Sequence, residues 1–212
     1  MKKLCLSLLV VCSMLVADTF EDASDAYSKG NYIKALNLFF ALAKDGDVKA
    51  QYNVGIIYEH GKGVKPDIDQ AKKWYEKSAK GGNEKAMYNL ALLYHSQDGK
   101  KPHAIEMAKY WYEKAVEAGV VEANNNLATL YLEGKGVPQD NKKALELLQK
   151  ASKANDPQAQ YNLGLLYGWG KDIQQDKLKA YENLTKAINA GVSQAGEYLD
   201  RLCKESAWVC KN

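Results

Sequence analysis

The sequence predicts an all-α solenoid of stacked antiparallel helix pairs, and three periodic observations predict it. The stretch Ala159-Gln-Tyr-Asn-Leu-Gly-Leu-Leu-Tyr167 recurs at Ala50–Tyr58, Ala86–Tyr94 and Ala123–Tyr131, with a degraded fifth copy from Ala195. The starting alanines are 36, 37, 36 and 36 residues apart. A second series, Ala35, Ala71, Ala108, Ala144 and Ala180, repeats at the same steps. Gly46, Gly82, Gly119, Asn155 and Gly191 keep the period between copies. A fixed period of this length specifies units that bury their apolar faces on their neighbours, not one globular core.

The first residues stand apart from the repeats. Met1-Lys2-Lys3, then the apolar run Leu4–Val16, then Ala17 have the layout of a secretory signal over residues 1–17, with cleavage near Ala17–Asp18. Thirteen residues are too few to span a bilayer, so no membrane anchor is expected. A lipoprotein signal around Cys12 is disfavoured, because bulky Val11 stands where a small residue is wanted. Export implies a periplasmic or secreted location. Loss of Lys2 and Lys3 takes the formal charge from +3 to +1, which gives nucleic acid or an anionic membrane no electrostatic hold. No Ser/Gly/Pro-rich linker follows, so residues 18–203 are read as one helical array and 204–212 as a cap.

Each predicted first helix buries a stripe such as Ala159, Leu163, Leu166 and Tyr167. Beside it a small residue (Gly55, Ala91, Ala128 or Gly164) admits the partner helix closely. Each second helix buries offsets 0, +4 and +7, for example Ala71, Tyr75 and Ser78 or Ala180, Leu184 and Ala187. Trp74 and Trp111 lie beside this stripe and are expected in the core. In the connections, Gly61 and Gly134 suit the left-handed residue that ends a helix, and Asp67, Asp140 and Asp176 suit the N-cap of the next one. Asp67 and Gln70 have the spacing of a capping box. The second copy departs, with His103 near that position. Between copies, Asn155 replaces glycine as the residue that best tolerates the left-handed region, and Pro157 suits a helix start.

The two ends depart from the pattern. Asp22–Gly30 reads as an opening helix with a shortened connection, since Tyr27 and Ala35 are 8 residues apart where Tyr58 and Ala71 are 13. At the C-terminus, Asp200 replaces the small residue and Cys203 the stripe tyrosine. After signal removal only Cys203 and Cys210 remain, and an even pair in an oxidising compartment reads as a disulfide. Residues 205–210 are expected to fold back, with Trp208 covering apolar surface.

Ala-x-x-x-Leu-Gly-x-x-Tyr, Gly-x-Gly-Val-x-x-Asp and Ala-x-x-Trp-Tyr-x-Lys-Ala, matched almost throughout by residues 50–58, 61–67 and 71–79 and again by 108–119 and 131–144, resemble the Sel-one-like repeat family, relatives of tetratricopeptide repeats. The ending Leu202–Cys210 is similar to exported cysteine-rich members from Helicobacter and Campylobacter. The resemblance implies a right-handed superhelix in a Gram-negative envelope, expected to be a monomer, that acts as a scaffold or adaptor for a protein or peptide in its concave groove. Some such members bear the label penicillin-binding protein or β-lactamase, which makes lactam binding or weak hydrolysis the alternative function.

Candidate contacts follow the period. Asn53, Asn89, Asn126 and Asn162 recur at the fourth residue of each first helix. The resemblance to tetratricopeptide repeats implies amides that bond a ligand's backbone, whereas the competing expectation is bonding to the adjacent repeat. Tyr52, Tyr88 and Tyr161 lie farther round and suit either burial between repeats or an aromatic stripe along the groove. That stripe is interrupted at Asn125 and Thr129, which predicts a groove polar in its middle. Trp169, in a Gly-Trp-Gly loop, is the best exposed aromatic. No catalytic residue is assigned, because Ser-x-x-Lys and Lys-Thr-Gly are missing from the sequence. His60, His95 and His103 share no ligand spacing, so neither a metal nor a cofactor is expected.

Overall fold

Local chemistry sets the helix boundaries. The structure, a computed structural model, describes residues 20–98, 102–134, 137–170 and 172–210. The proposed signal, residues 1–17, lies outside them. The chain is an all-α array of stacked antiparallel helix pairs, as predicted. Two compact units are distinguished, the chain dividing between Leu93 and Tyr94. The first contains α1 (20–28), α2 (Tyr32–Lys44), α3 (Val48–His60), α4 (Ile68–Lys80) and most of α5 (Glu84–Asp98). The second contains α6 (Pro102–Glu117), α7 (Val121–Glu133), α8 (Asn141–Lys153), α9 (Pro157–Trp169), α10 (Lys177–Asn189) and α11 (Gln194–Glu205). His103 falls in the first turn of α6, exposed and 3.8 Å from Glu106.

The second helices start where expected. The carboxylates of Asp67, Asp140 and Asp176 accept the backbone N–H of Gln70, Lys143 and Lys179 at 2.9, 2.9 and 3.0 Å. The first helices are capped too, by side chains that the sequence pattern did not flag. Asp47, Asn83 and Asp156 accept from Ala50, Ala86 and Ala159 at 2.6, 3.0 and 2.8 Å. Each such cap stabilises its helix by about 1 kcal/mol. The corner residues Gly46, Gly82, Gly119, Asn155 and Gly191 all have positive φ, at 96°, 93°, 90°, 63° and 93°. Asn155 therefore substitutes for glycine in the conformation its side chain tolerates best.

Within each unit, helices pack on their sequence neighbours: α2 on α3 and α3 on α4 in the first, and each helix from α6 to α11 on the next in the second. The predicted stripes are buried, including Ala35, Ala71, Ala108, Ala144 and Ala180, with Trp74 and Trp111 beside them. The first unit's core gathers Ala23, Phe39, Val54, Ile57 and Trp74. Among the described residues no helix is long and apolar enough to cross a membrane.

Beyond α11 the chain turns back, and Cys203 and Cys210 form the expected disulfide, with Cα atoms 5.7 Å apart. The role given to Trp208 is corrected: it is 60% exposed, and Val209 is buried instead. The tight turn explains the exchange. Val209 N–H donates to the Ser206 carbonyl, and Ser206 N–H to that of Leu202. With Cys210 tied to Cys203, this short loop points the small Val209 inward and turns the indole of Trp208 out.

Candidate functional site

The site is built on the small residue of each first helix. A Cβ on Gly55 would lie 2.6 Å from the ring of Tyr75, and a Cβ on Gly164 would lie 2.6 Å from Leu184 Cγ. In both pairs a large side chain of the second helix therefore rests on bare backbone.

In the α3–α4 pair that side chain is a phenol with polar partners. The Tyr75 hydroxyl donates to Glu59 at 2.5 Å and accepts from the Asn89 amide at 3.4 Å. The same amide reaches the Tyr52 hydroxyl at 3.4 Å. Burial foremost, then the hydrogen bond to Glu59, holds the Tyr75 phenol well above its ordinary range. Burial likewise raises Tyr52, partly offset by the bond from Asn89. In the second unit Tyr112, equivalent by period to Tyr75, has its hydroxyl 3.2 Å from His95 Nδ1.

Glu59 and His95 occupy the same place in the repeat, directly after the stripe tyrosine. Later copies carry Leu132 and Gly168 there, and Leu148 and Leu184 replace the two phenols. The two positions change together for a physical reason. A buried hydroxyl without a partner costs about 1–3 kcal/mol, so a phenol needs its polar neighbour and a leucine does not.

In the α9–α10 pair neither position fills the space. A pocket of about 230 Å³ opens there, lined by Gly164, Gly168, Leu184, Trp169, Tyr198 and Arg201, with Glu205 also at its wall. Trp169 is 64% exposed and meets Tyr198 edge-on at 6.5 Å. It also walls a second hollow of about 210 Å³, with Leu132, Gln139, Asn141, Asn162 and Leu165. Tyr161 packs edge-on to Tyr198 at 5.8 Å, and the Arg201 guanidinium lies 5.5 Å over the Tyr198 ring.

The structure thus gathers Trp169, Asn162 and Tyr161 in the second unit, and Tyr52 and Asn89 around Tyr75 in the first. The asparagine series is not uniform. Asn53 donates to the Lys49 carbonyl of its own helix at 2.9 Å. Asn162 donates to Asn125 Oδ1, one repeat earlier, at 2.9 Å. Asn126 and Tyr88 are half-buried and engaged. The polar interruption expected at Asn125 is corrected, because that residue is only 7% exposed: its side-chain oxygen accepts from Asn162 and its backbone carbonyl from Thr129 Oγ1 at 3.0 Å, while Thr129 itself is half-buried.

Sequence reasoning missed Tyr198, Arg201, Glu205 and Gly168. Tyr198 stands where the series would carry a fifth asparagine, and Gly168 where earlier copies carry Glu59, His95 and Leu132. Aligning the repeats at those two positions was the available signal. Among the described residues no group of three or more His, Cys, Asp or Glu is placed to hold a metal.

The chain is similar to a Sel1 repeat protein of Oxalobacter formigenes, with a TM-score of 0.74, 26% identity, and cover of 87% of this chain and 74% of that one. It is also similar to c5321, a protective antigen of uropathogenic Escherichia coli with an SLR fold, with a TM-score of 0.54, 25% identity, and cover of 90% and 49%. A curated relative, the ERAD-associated E3 ubiquitin-protein ligase component HRD3 of Candida glabrata, is 41% identical over 56 residues, 26% of this chain. The chain spans only 7% of that relative's length. Sel1 repeats match residues 48–83, 84–120, 121–156 and 157–192, more than half of the chain, which therefore belongs to the Sel1 repeat family.

Proposed function

We propose that this protein is an exported adaptor, periplasmic or secreted, that holds an extended segment of a partner protein against the face of its second unit around Trp169. The observation that carries the reading is an indole 64% exposed between two hollows. Exposed aromatics beside concave, partly apolar surface are favoured anchors for protein partners. The hollows, about 230 and 210 Å³, fall below the roughly 300–1,000 Å³ usual for small-molecule sites. They suit single side chains of a polypeptide better than a cofactor. The Cys203–Cys210 disulfide supports an oxidising location. A relative named as a ligase component is consistent with an assembly role.

The test is a pair of affinity captures with Trp169→Ala and the unchanged protein as baits in an envelope extract. Trp169 is 64% exposed at the last residue of α9, so its removal is expected to shift stability by no more than about 0.5 kcal/mol. Loss of the captured partner at unchanged Tm supports the reading, and full retention refutes the site. Nitrocefin turnover in the same repurified sample would instead favour the lactam alternative.

A further inference from the structure

The first unit contains a filled version of the pocket that the second leaves open. Tyr75 lies across Gly55, donates to Glu59 and accepts from Asn89. In the α9–α10 pair the same glycine platform, Gly164, carries Leu184, and position 168 has no side chain. What is missing, relative to the first unit, is a phenol ring and its polar partner.

The pocket supplies polar partners of its own. Arg201 and Glu205 line it, one turn apart on α11. Among the described residues neither forms an ion pair, and Arg201 contacts the Tyr198 ring. A guanidinium donates and a carboxylate accepts. Together they complement a hydroxyl, which accepts from the first and donates to the second. A carboxylate would meet Glu205 as a like charge, an ammonium would meet Arg201, and an aliphatic side chain would use neither.

Resting on the partner-binding reading above, we infer that this pocket receives a tyrosine side chain from an extended segment of a partner protein. The ring lies against Gly168 and Leu184 with Trp169 as its wall, and the hydroxyl sits between Arg201 and Glu205. The arrangement repeats with a foreign residue what Tyr75, Glu59 and Asn89 do internally.

The probe is the capped tripeptide acetyl-Ala-Tyr-Ala-amide, with Phe and Leu counterparts, titrated against the full protein while NMR follows the Trp169 indole N–H. The tyrosine peptide is expected to bind saturably, about fivefold tighter than the phenylalanine one, the factor for one ordinary net hydrogen bond. Glu205→Lys, at an exposed position, should abolish that preference. The double variant Gly168→Glu with Leu184→Tyr rebuilds the first unit's filling. Gly164 leaves the same platform as Gly55, so this variant should fold, keep or raise Tm, and weaken the peptide at least tenfold. Equal binding of the tyrosine and phenylalanine peptides, or unchanged affinity in the double variant, overturns the inference. A larger partner still captured by the double variant through Trp169 would leave the adaptor reading standing while this one falls. Concentration-dependent dimerisation in sedimentation, abolished by the double variant, would also overturn it by making a second copy the occupant.

Discussion

The α3–α4 pair and the α9–α10 pair start from the same glycine and end with opposite uses of it. Over Gly55 lies a phenol whose hydroxyl is engaged on both sides. Over Gly164 lies a leucine, and the space beyond it opens to Trp169 and Tyr198. The difference teaches that in a repeat array a site can arise by subtraction. Two substitutions within one helix pair, at the positions of Glu59 and Tyr75, turn a filled, hydrogen-bonded contact into a vacant one without disturbing the period.

The comparison can be broken most forcefully at Tyr75. Tyr75→Ala empties the filled version and is expected to cost about 3–5 kcal/mol, the range for deleting a buried aromatic. A loss below roughly 2 kcal/mol in urea denaturation would mean that the first unit is not tightly filled. The glycines give a smaller and sharper contrast. Gly55→Ala drives a Cβ into the Tyr75 ring at 2.6 Å and should cost about 1–3 kcal/mol by overpacking. Gly168→Ala, whose Cβ would meet only Ala180 Cβ at 3.7 Å, should be neutral or stabilising by up to about 1 kcal/mol, as for alanine replacing glycine in a helix. Opposite signs in thermal melts support the contrast, and equal signs break it.

Alkaline titration offers the most delicate measurement. The Tyr75 phenol is raised from an ordinary value of 10.0, by burial first and by Glu59 next. The folded state therefore keeps a proton that the unfolded chain releases. Its contribution is fully present below pH 10 and is lost as pH rises from there toward the raised value. Tyr75→Phe should cost about 1–2 kcal/mol at neutral pH and flatten that alkaline decline. Parallel curves for the two proteins would show that Tyr75 is not the group holding the proton.

The repeat, the buried stripes and the corner at Asn155 were legible in the sequence, because each copy states the same local chemistry again. Half of the capping was not. Asp67 follows a glycine-rich loop that draws notice, whereas Asp47 and Asp156 stand beside corner residues that already explain the turn. Trp208 and Val209 were exchanged because size argued for burying the indole, and the geometry of a short covalent loop decided otherwise. The pocket was least legible of all. It is defined by what Gly168 and Leu184 lack, and absence shows only when the copies are compared position by position. Arg201 lay in the copy that seemed merely degraded, and Glu205 in the stretch expected to fold back, whereas α11 in fact runs on to Glu205; a departure from the pattern reads as decay until its neighbours in space are known.

The neighbour-to-neighbour packing of the helices bears on how the chain acquires its structure. Within each unit a helix finds its main partner in the segment immediately before or after it. Little loop-closure entropy stands between the extended chain and its first stable contacts, so folding is expected to be fast for the chain's length. A helix pair delivered end-first through a narrow channel can dock as soon as its second member emerges, and each completed pair offers a template to the next. Such a chain can be threaded unfolded and recover its order in the sequence in which it arrives.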